Sequence, residues 1–124
     1  MTDSEMQIQV ILDHYKDPRN YGEIKNETVS ITEANPVCGD TLHFSLLIEG
    51  GILADIKFMG QGCSISQASA SMLTESVKGK QVSWIKKLKP EFVLEMIGIE
   101  LGPAREKCAL LSYNTLMKAL KPYE

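Results

Sequence analysis

Three cysteines and one aspartate are the residues of this chain whose types could do chemistry together. They are Cys38 and Asp40 in NPVCGDT, Cys63 in GQGCSIS and Cys108 in REKCALL. Three thiolates and a carboxylate make a four-donor set suited to a tetrahedral zinc, or to an iron–sulfur cluster with one weak ligand. Cys38 and Asp40 alternate along a short extended stretch, so both side chains can face one way. Gly39 between them allows tight turning. Cys63 stands just before a helical pattern, where unpaired backbone N–H groups and the helix dipole favour a thiolate. Cys108 is expected to open the last helix, with Arg105 and Lys107 close enough to favour its thiolate as well. Each residue also has a plainer reading. A single cysteine is commonly a small buried hydrophobe, an aspartate in a turn usually bonds its own backbone, and Arg105 and Lys107 fit a solvated helix start. His14 and His43 read as plain surface or strand residues, His43 on the polar face of its strand. From spacing alone, separate core cysteines and one shared metal site both stay open.

Positioning these residues is the task of the elements around them. Residues 5–17 carry Met6, Val10, Ile11 and Tyr15 near helical spacing, and Pro18 should stop that helix. A strand over 28–32 is weakly signalled. Residues 41–49 put Leu42, Phe44, Leu46 and Ile48 on one face, and residues 52–59 do the same with Ala54, Ile56 and Phe58. Gly50-Gly51 between them signals a hairpin. Cys38 lies as far before Gly50 as Cys63 lies after Gly51, so both cysteines leave the same end of that hairpin. Matching the apolar faces calls for a one-residue shift, for instance a three-residue turn with a glycine bulge. After Cys63 the period changes: Ile65, Ala68, Met72 and Val77 suit a helix ending at Gly79. One or two short helices around Pro90 and a last helix over 109–120 complete the chain. The expected fold is α+β, a small antiparallel sheet of about three strands packed by helices.

The bulk properties narrow the classes. A chain of 124 residues with 44% hydrophobic and 23% charged content fits one globular domain over 1–124. A net charge of −3 gives no basic footprint, so nucleic acid is not an expected partner. Neither a signal-peptide pattern nor a bilayer-length apolar run is present, so no membrane is expected and a cytoplasmic protein is the default. An odd number of cysteines in a reducing compartment argues against a disulfide framework.

Four stretches, DHYKDPRNYG, NPVCGDT, GQGCSISQASASMLTESVKGK and PAREKCALLSY, together resemble the U-type iron–sulfur cluster assembly proteins, the IscU, SufU and NifU amino-terminal family. The likeness runs from about Ile11 to Leu120 with the motifs in family order. It implies a small antiparallel sheet packed by helices. It also implies Cys38, Cys63 and Cys108 as cluster or metal ligands, with Asp40 beside them as a carboxylate associated with ligand exchange and release. The implied partners are a pyridoxal-phosphate cysteine desulfurase and apo-iron–sulfur acceptor proteins, with self-association on cluster binding a further option.

The branch is mixed. The IscU branch usually carries histidine directly before its third cysteine, where this chain has Lys107. It also carries Leu-Pro-Pro-Val-Lys upstream, read by an Hsp70-type chaperone, where this chain has LGPAR. GCSISQASASM and PAREKCALLSY are nearer the SufU branch, yet residues 81–102 are too short for that branch's usual insertion. Two functions follow from the resemblance. The favoured one is a scaffold and carrier, rather than a turnover enzyme, on which iron and sulfide assemble into a labile [2Fe–2S] cluster for transfer to apo-proteins. The alternative is a zinc-dependent sulfurtransferase that takes persulfide sulfur from the desulfurase. Cys108 is the expected sulfur acceptor in either.

Overall fold

The computed structural model describes residues 2–36 and 39–123. The chain runs α1 (Asp3–Lys16), β1 (Val29–Asn35), β2 (Asp40–Glu49), β3 (Ile52–Gln61), α2 (Ser64–Val77), α3 (Val82–Ile85), α4 (Pro90–Ile97) and α5 (Pro103–Leu120). The three strands form one antiparallel sheet in the order β1-β2-β3, as the alternating patterns predict. The first strand is longer than the sequence signals.

The hairpin's one-residue shift is real, but its cause differs from the expected one. The turn is a two-residue one, Gly50-Gly51, with φ of 58° and 77° and Glu49 paired to Ile52. These left-handed angles suit glycine and match the twist of the strands. The shift falls inside the strands. Ile48 pairs with Leu53 but Leu47 pairs with Asp55, which leaves Ala54 as an extra, unpaired residue. That bulge changes the phase of β3. Leu53, Ile56 and Phe58 are therefore the buried residues, and Ala54 is not among them.

On one face of the sheet lie α2 and α5, with α1 packed against α2 and α4 against both. The core between the layers contains Leu42, Phe44, Leu46, Phe58, Leu73 and Leu116. The free edge of β3 is covered by residues 20–22: Phe58 donates its N–H to the Asn20 carbonyl and accepts the N–H of Gly22. Tyr21 stacks edge-on against Phe58, ring centres 5.3 Å apart.

Two helices depart from the sequence reading. In α1 a capping box between Thr2 and Glu5 starts the helix, and Pro18 follows its C-cap as expected. Its buried residues, however, are Ile11 and His14, while Met6, Val10 and Tyr15 stay exposed. The helix docks on α2 partly by a polar contact rather than by a continuous apolar stripe. The last helix begins at Pro103, not at 109, with Gly102 as N-cap. Proline suits the first helical position because its missing N–H would lack a partner there anyway. Among the described residues, no helix is long and apolar enough to cross a membrane.

Candidate metal and thiol site

Asp40 begins β2, Cys63 is the N-cap of α2, and Cys108 lies in the second turn of α5. These three elements meet at the end of the hairpin opposite the turn. One ligand atom from each residue lies within 4.8 Å of the other two. Cys38 lies outside the described residues. Three of the four residues singled out in the sequence are therefore brought together, although they come from a strand, a helix cap and a helix interior.

Asp40 is 1% exposed, and its two oxygens have different duties. Oδ1 accepts the backbone N–H of Cys63 at 3.0 Å. It thereby satisfies one of the N–H groups that the start of α2 leaves over, as a capping side chain would. Oδ2 lies 3.8 Å from the Cys63 sulfur. One carboxylate oxygen is thus used in holding the fold, and the other faces the thiol.

Gly62 makes this approach possible. Its φ is 154°, and a Cβ there would stand 2.2 Å from Asp40 Oδ1 and 2.7 Å from Ser66 Oγ. Only a residue without a side chain fits between the carboxylate and the helix start. The glycine directly before Cys63 was the available sequence signal, but its role depends on a contact across the hairpin. Ser66 Oγ in turn donates to the Cys63 carbonyl at 3.2 Å. Gln67 donates to Ser66 Oγ at 3.2 Å.

The two described thiols differ in access. Cys63 is half-buried, whereas Cys108 is 2% exposed and packs with Ile11, Ala68 and Ile97. The expectation that Cys108 opens the last helix is corrected: five residues of α5 precede it, so the dipole argument at a helix start does not apply there. Arg105 and Lys107 are exposed. Lys107 lines a groove of about 250 Å³ with Asn35 and Pro36, beside the chain that leads to Cys38. A cleft of about 450 Å³ lies on the other side, between Tyr15, Pro18 and Tyr21 and the strand end at Gly60 to Gly62.

A polar cluster behind α1 was not legible as such. His14 is 8% exposed rather than a surface residue, and its Nδ1 lies 2.7 Å from Ser71 Oγ. Ser71 Oγ also accepts the Arg19 backbone N–H at 2.8 Å. The hydroxyl keeps its proton available for Nδ1, and the other ring nitrogen, Nε2, lies 3.6 Å from Glu75 Oε1. Burial pushes the His14 pKa below its ordinary value; the Arg19 charge adds to this, and Glu75 and Asp13 oppose it. His43 shares an exposed hydrogen bond with Thr32 at 2.7 Å, in line with its place on the polar face.

The donor set suits soft metal chemistry. Two thiol sulfurs and one carboxylate oxygen converge where water reaches one thiol, a donor set compatible with a tetrahedral zinc or a labile cluster.

Comparison with known proteins places this geometry in context. The chain is 41% identical to a protein of Bacillus subtilis named zinc-dependent sulfurtransferase SufU, covering 94% of this chain and 90% of the relative. It is 36% identical to the iron–sulfur cluster assembly scaffold protein IscU of Thermotoga maritima, covering 94% and 93%. These alignments extend over 133 and 132 positions, more than the 124 residues present here, so both relatives carry residues this chain lacks. A crystal structure described as a putative iron–sulfur cluster assembly scaffold protein for the SUF system, from Fervidobacterium islandicum, superposes with a TM-score of 0.81. Its sequence is 30% identical, over 94% of this chain and 98% of that one. The model of the NifU-like N-terminal domain matches residues 6–124, and the chain belongs to that family.

Proposed function

We propose that this chain is an iron–sulfur cluster assembly scaffold that receives sulfur from a cysteine desulfurase in the cytoplasm and passes a labile [2Fe–2S] cluster to apo-proteins. The observation that carries the reading is the convergence of Asp40, Cys63 and Cys108 within 4.8 Å at an open end of the fold. The names of the relatives support it. Iron and sulfide are the cargo, held by the sulfurs of Cys38, Cys63 and Cys108. Asp40 has only Oδ2 facing the thiol, so it is a single hard donor among soft ones. Such a donor exchanges readily, which suits a site that must let its cargo go.

Sulfur arrives by thiol exchange. An acceptor thiolate attacks the outer sulfur of the desulfurase persulfide, that S–S bond breaks, and the desulfurase leaves as a thiolate. Exposure makes Cys63 the more accessible of the two described acceptors. Transfer to Cys108, the acceptor expected from the sequence, requires the first turns of α5 to open. Peptide mapping by mass spectrometry after incubation with desulfurase and cysteine locates the added sulfur.

The Bacillus subtilis relative's name keeps one alternative in view, a zinc-dependent sulfurtransferase. The same four residues would hold zinc, which would keep its thiols deprotonated at neutral pH. One anaerobic experiment separates the readings. Incubation with desulfurase, cysteine, iron and reductant should yield a visible chromophore with acid-labile sulfide, and Cys63→Ser should abolish it. Asp40→Asn, which keeps an oxygen for the Cys63 N–H, should slow cluster release to an apo-ferredoxin. A colourless protein that retains zinc and only accelerates the desulfurase would overturn the scaffold reading.

A further inference from the structure

The end of the molecule remote from the thiols carries a feature that cluster assembly does not use. Five of the thirteen lysines and arginines, Lys78, Lys80, Lys86, Lys87 and Lys89, fall within residues 78–89, a segment without a single acid. All five are exposed. The rest of the chain holds eight cations against sixteen acids. In the middle of the basic segment stands Trp84, 42% exposed, the chain's one tryptophan. Its ring is packed on two sides: Phe92 meets it edge-on at 6.3 Å, and Lys80 Nζ lies 5.8 Å from its centroid. A groove of about 410 Å³ runs between Gly79, Lys80, Gln81 and Trp84. Ile52, 40% exposed, is bridged to Gln81 at the groove's edge. Lys78 is committed to Asp55 at 3.2 Å, and Lys86 donates to the Lys121 and Tyr123 carbonyls. Among the described residues, Lys80, Lys87 and Lys89 pair with no carboxylate.

We propose that this groove is a docking site for a short acidic protein segment bearing one apolar or aromatic side chain, which would rest on Trp84 while its carboxylates meet Lys80, Lys87 and Lys89. An exposed tryptophan packed by Phe92 and Lys80, within a segment whose only charges are cations, is the composition of a binding anchor rather than of a solvated face. Charge complementarity selects the partner's sign. The strongly acidic remainder selects its size: an extended polyanion, whether nucleic acid or membrane, would meet that repulsion beyond the patch, while a short segment stays within about one Debye length of it. The 14 residues of α2 separate the patch from Cys63, about 20 Å at the helical rise, so both ends can be occupied at once.

Trp84 reports its own binding by fluorescence. The probe is a synthetic peptide of glutamates around one phenylalanine, with a glutamine counterpart, vesicles containing phosphatidylglycerol and a single-stranded oligonucleotide as alternatives. The glutamate peptide should shift the Trp84 emission saturably. Lys80→Glu combined with Lys87→Glu should weaken that binding about tenfold or more, with unchanged circular dichroism and unchanged zinc affinity. Lys16→Glu, on α1, should leave it unaltered. With a labelled peptide, Trp84→Ala should also lose affinity in anisotropy. No response to the glutamate peptide, equal binding of the glutamine peptide, or indifference to the lysine reversals would overturn the proposal. So would a response confined to vesicles or oligonucleotide, and so would an emission shift with protein concentration alone, which would make a second copy the occupant.

Discussion

At its turn end the β2–β3 hairpin is closed by backbone, and at its other end by a side chain. Near the turn, Leu53 donates to the Lys80 carbonyl, Gly79 to the Leu53 carbonyl and Val82 to the Gly51 carbonyl, at 2.7 to 2.9 Å. Those groups cannot change with pH, metal or oxidation. At the opposite end, pairing stops at Thr41 and Gln61, and the next link is the Asp40 carboxylate on the Cys63 N–H. A carboxylate can be protonated or drawn away by a cation. The contrast teaches where the chain keeps permanence and where it keeps a connection that chemistry can reach.

The largest expected effect tests whether the two ends share one support. Phe58 lies between them, wholly buried, against Phe44 at 6.4 Å and Tyr21 at 5.3 Å. Phe58→Ala should cost about 3–5 kcal/mol in urea denaturation, and metal affinity should fall with it. Intact metal binding in a strongly destabilised protein would break the picture of a common support.

The next test sets one glycine against another. Gly62→Ala forces a Cβ onto Asp40 and should reduce zinc affinity about 10–100-fold in a chelator competition. Gly79, at the turn end with φ of 83°, has open space around it. Gly79→Ala should cost only about 1 kcal/mol of stability and leave zinc affinity alone. Equal effects on metal binding would remove the distinction between the ends.

The smallest effect is a pH dependence. His14 has a depressed pKa in the folded protein, so the unfolded chain takes up its proton first. Its contribution is complete above roughly pH 6.5, the ordinary histidine value, and is lost as pH falls toward the folded value. Arg19, Glu75 and Asp13 set the balance around the ring. The urea midpoint should therefore drop between about pH 8 and pH 5.5 more steeply in the natural protein than in His14→Gln. Parallel slopes would remove His14 from the account.

Much of this was legible in the sequence for a simple reason. Strands with one buried face alternate, so β2, β3 and their glycine turn announce themselves. The thiols and Asp40 stand in short motifs that local reading can find. What escaped depends on contacts between distant segments. Gly102-Pro103 looks like a loop unless proline is taken as a helix opener, and so the start of α5 was placed six residues late. His14 looks like a surface histidine until Ser71, 57 positions away, supplies its partner. The burial of Cys108 follows from the longer helix and could not be read from its basic neighbours. The one-residue shift is legible from the apolar faces, but its position at Ala54 leaves no local mark, since alanine suits either face.

That bulge has a consequence at the other end of the strand. It acts as a counting device. With the extra residue absorbed at Ala54, Leu42 faces Gly60 and Thr41 faces Gln61, and the following step brings Gly62 to Asp40. Without the bulge Ala54 would pair with Leu47, and that phase error of one step would carry over the eight residues to Gly62, about 26 Å at the usual strand rise. Gln61, with a full side chain, would then stand where the carboxylate needs empty space. The place at which this chain can gain or lose a residue is set by the fit of a glycine against a carboxylate at the far end of the same strand.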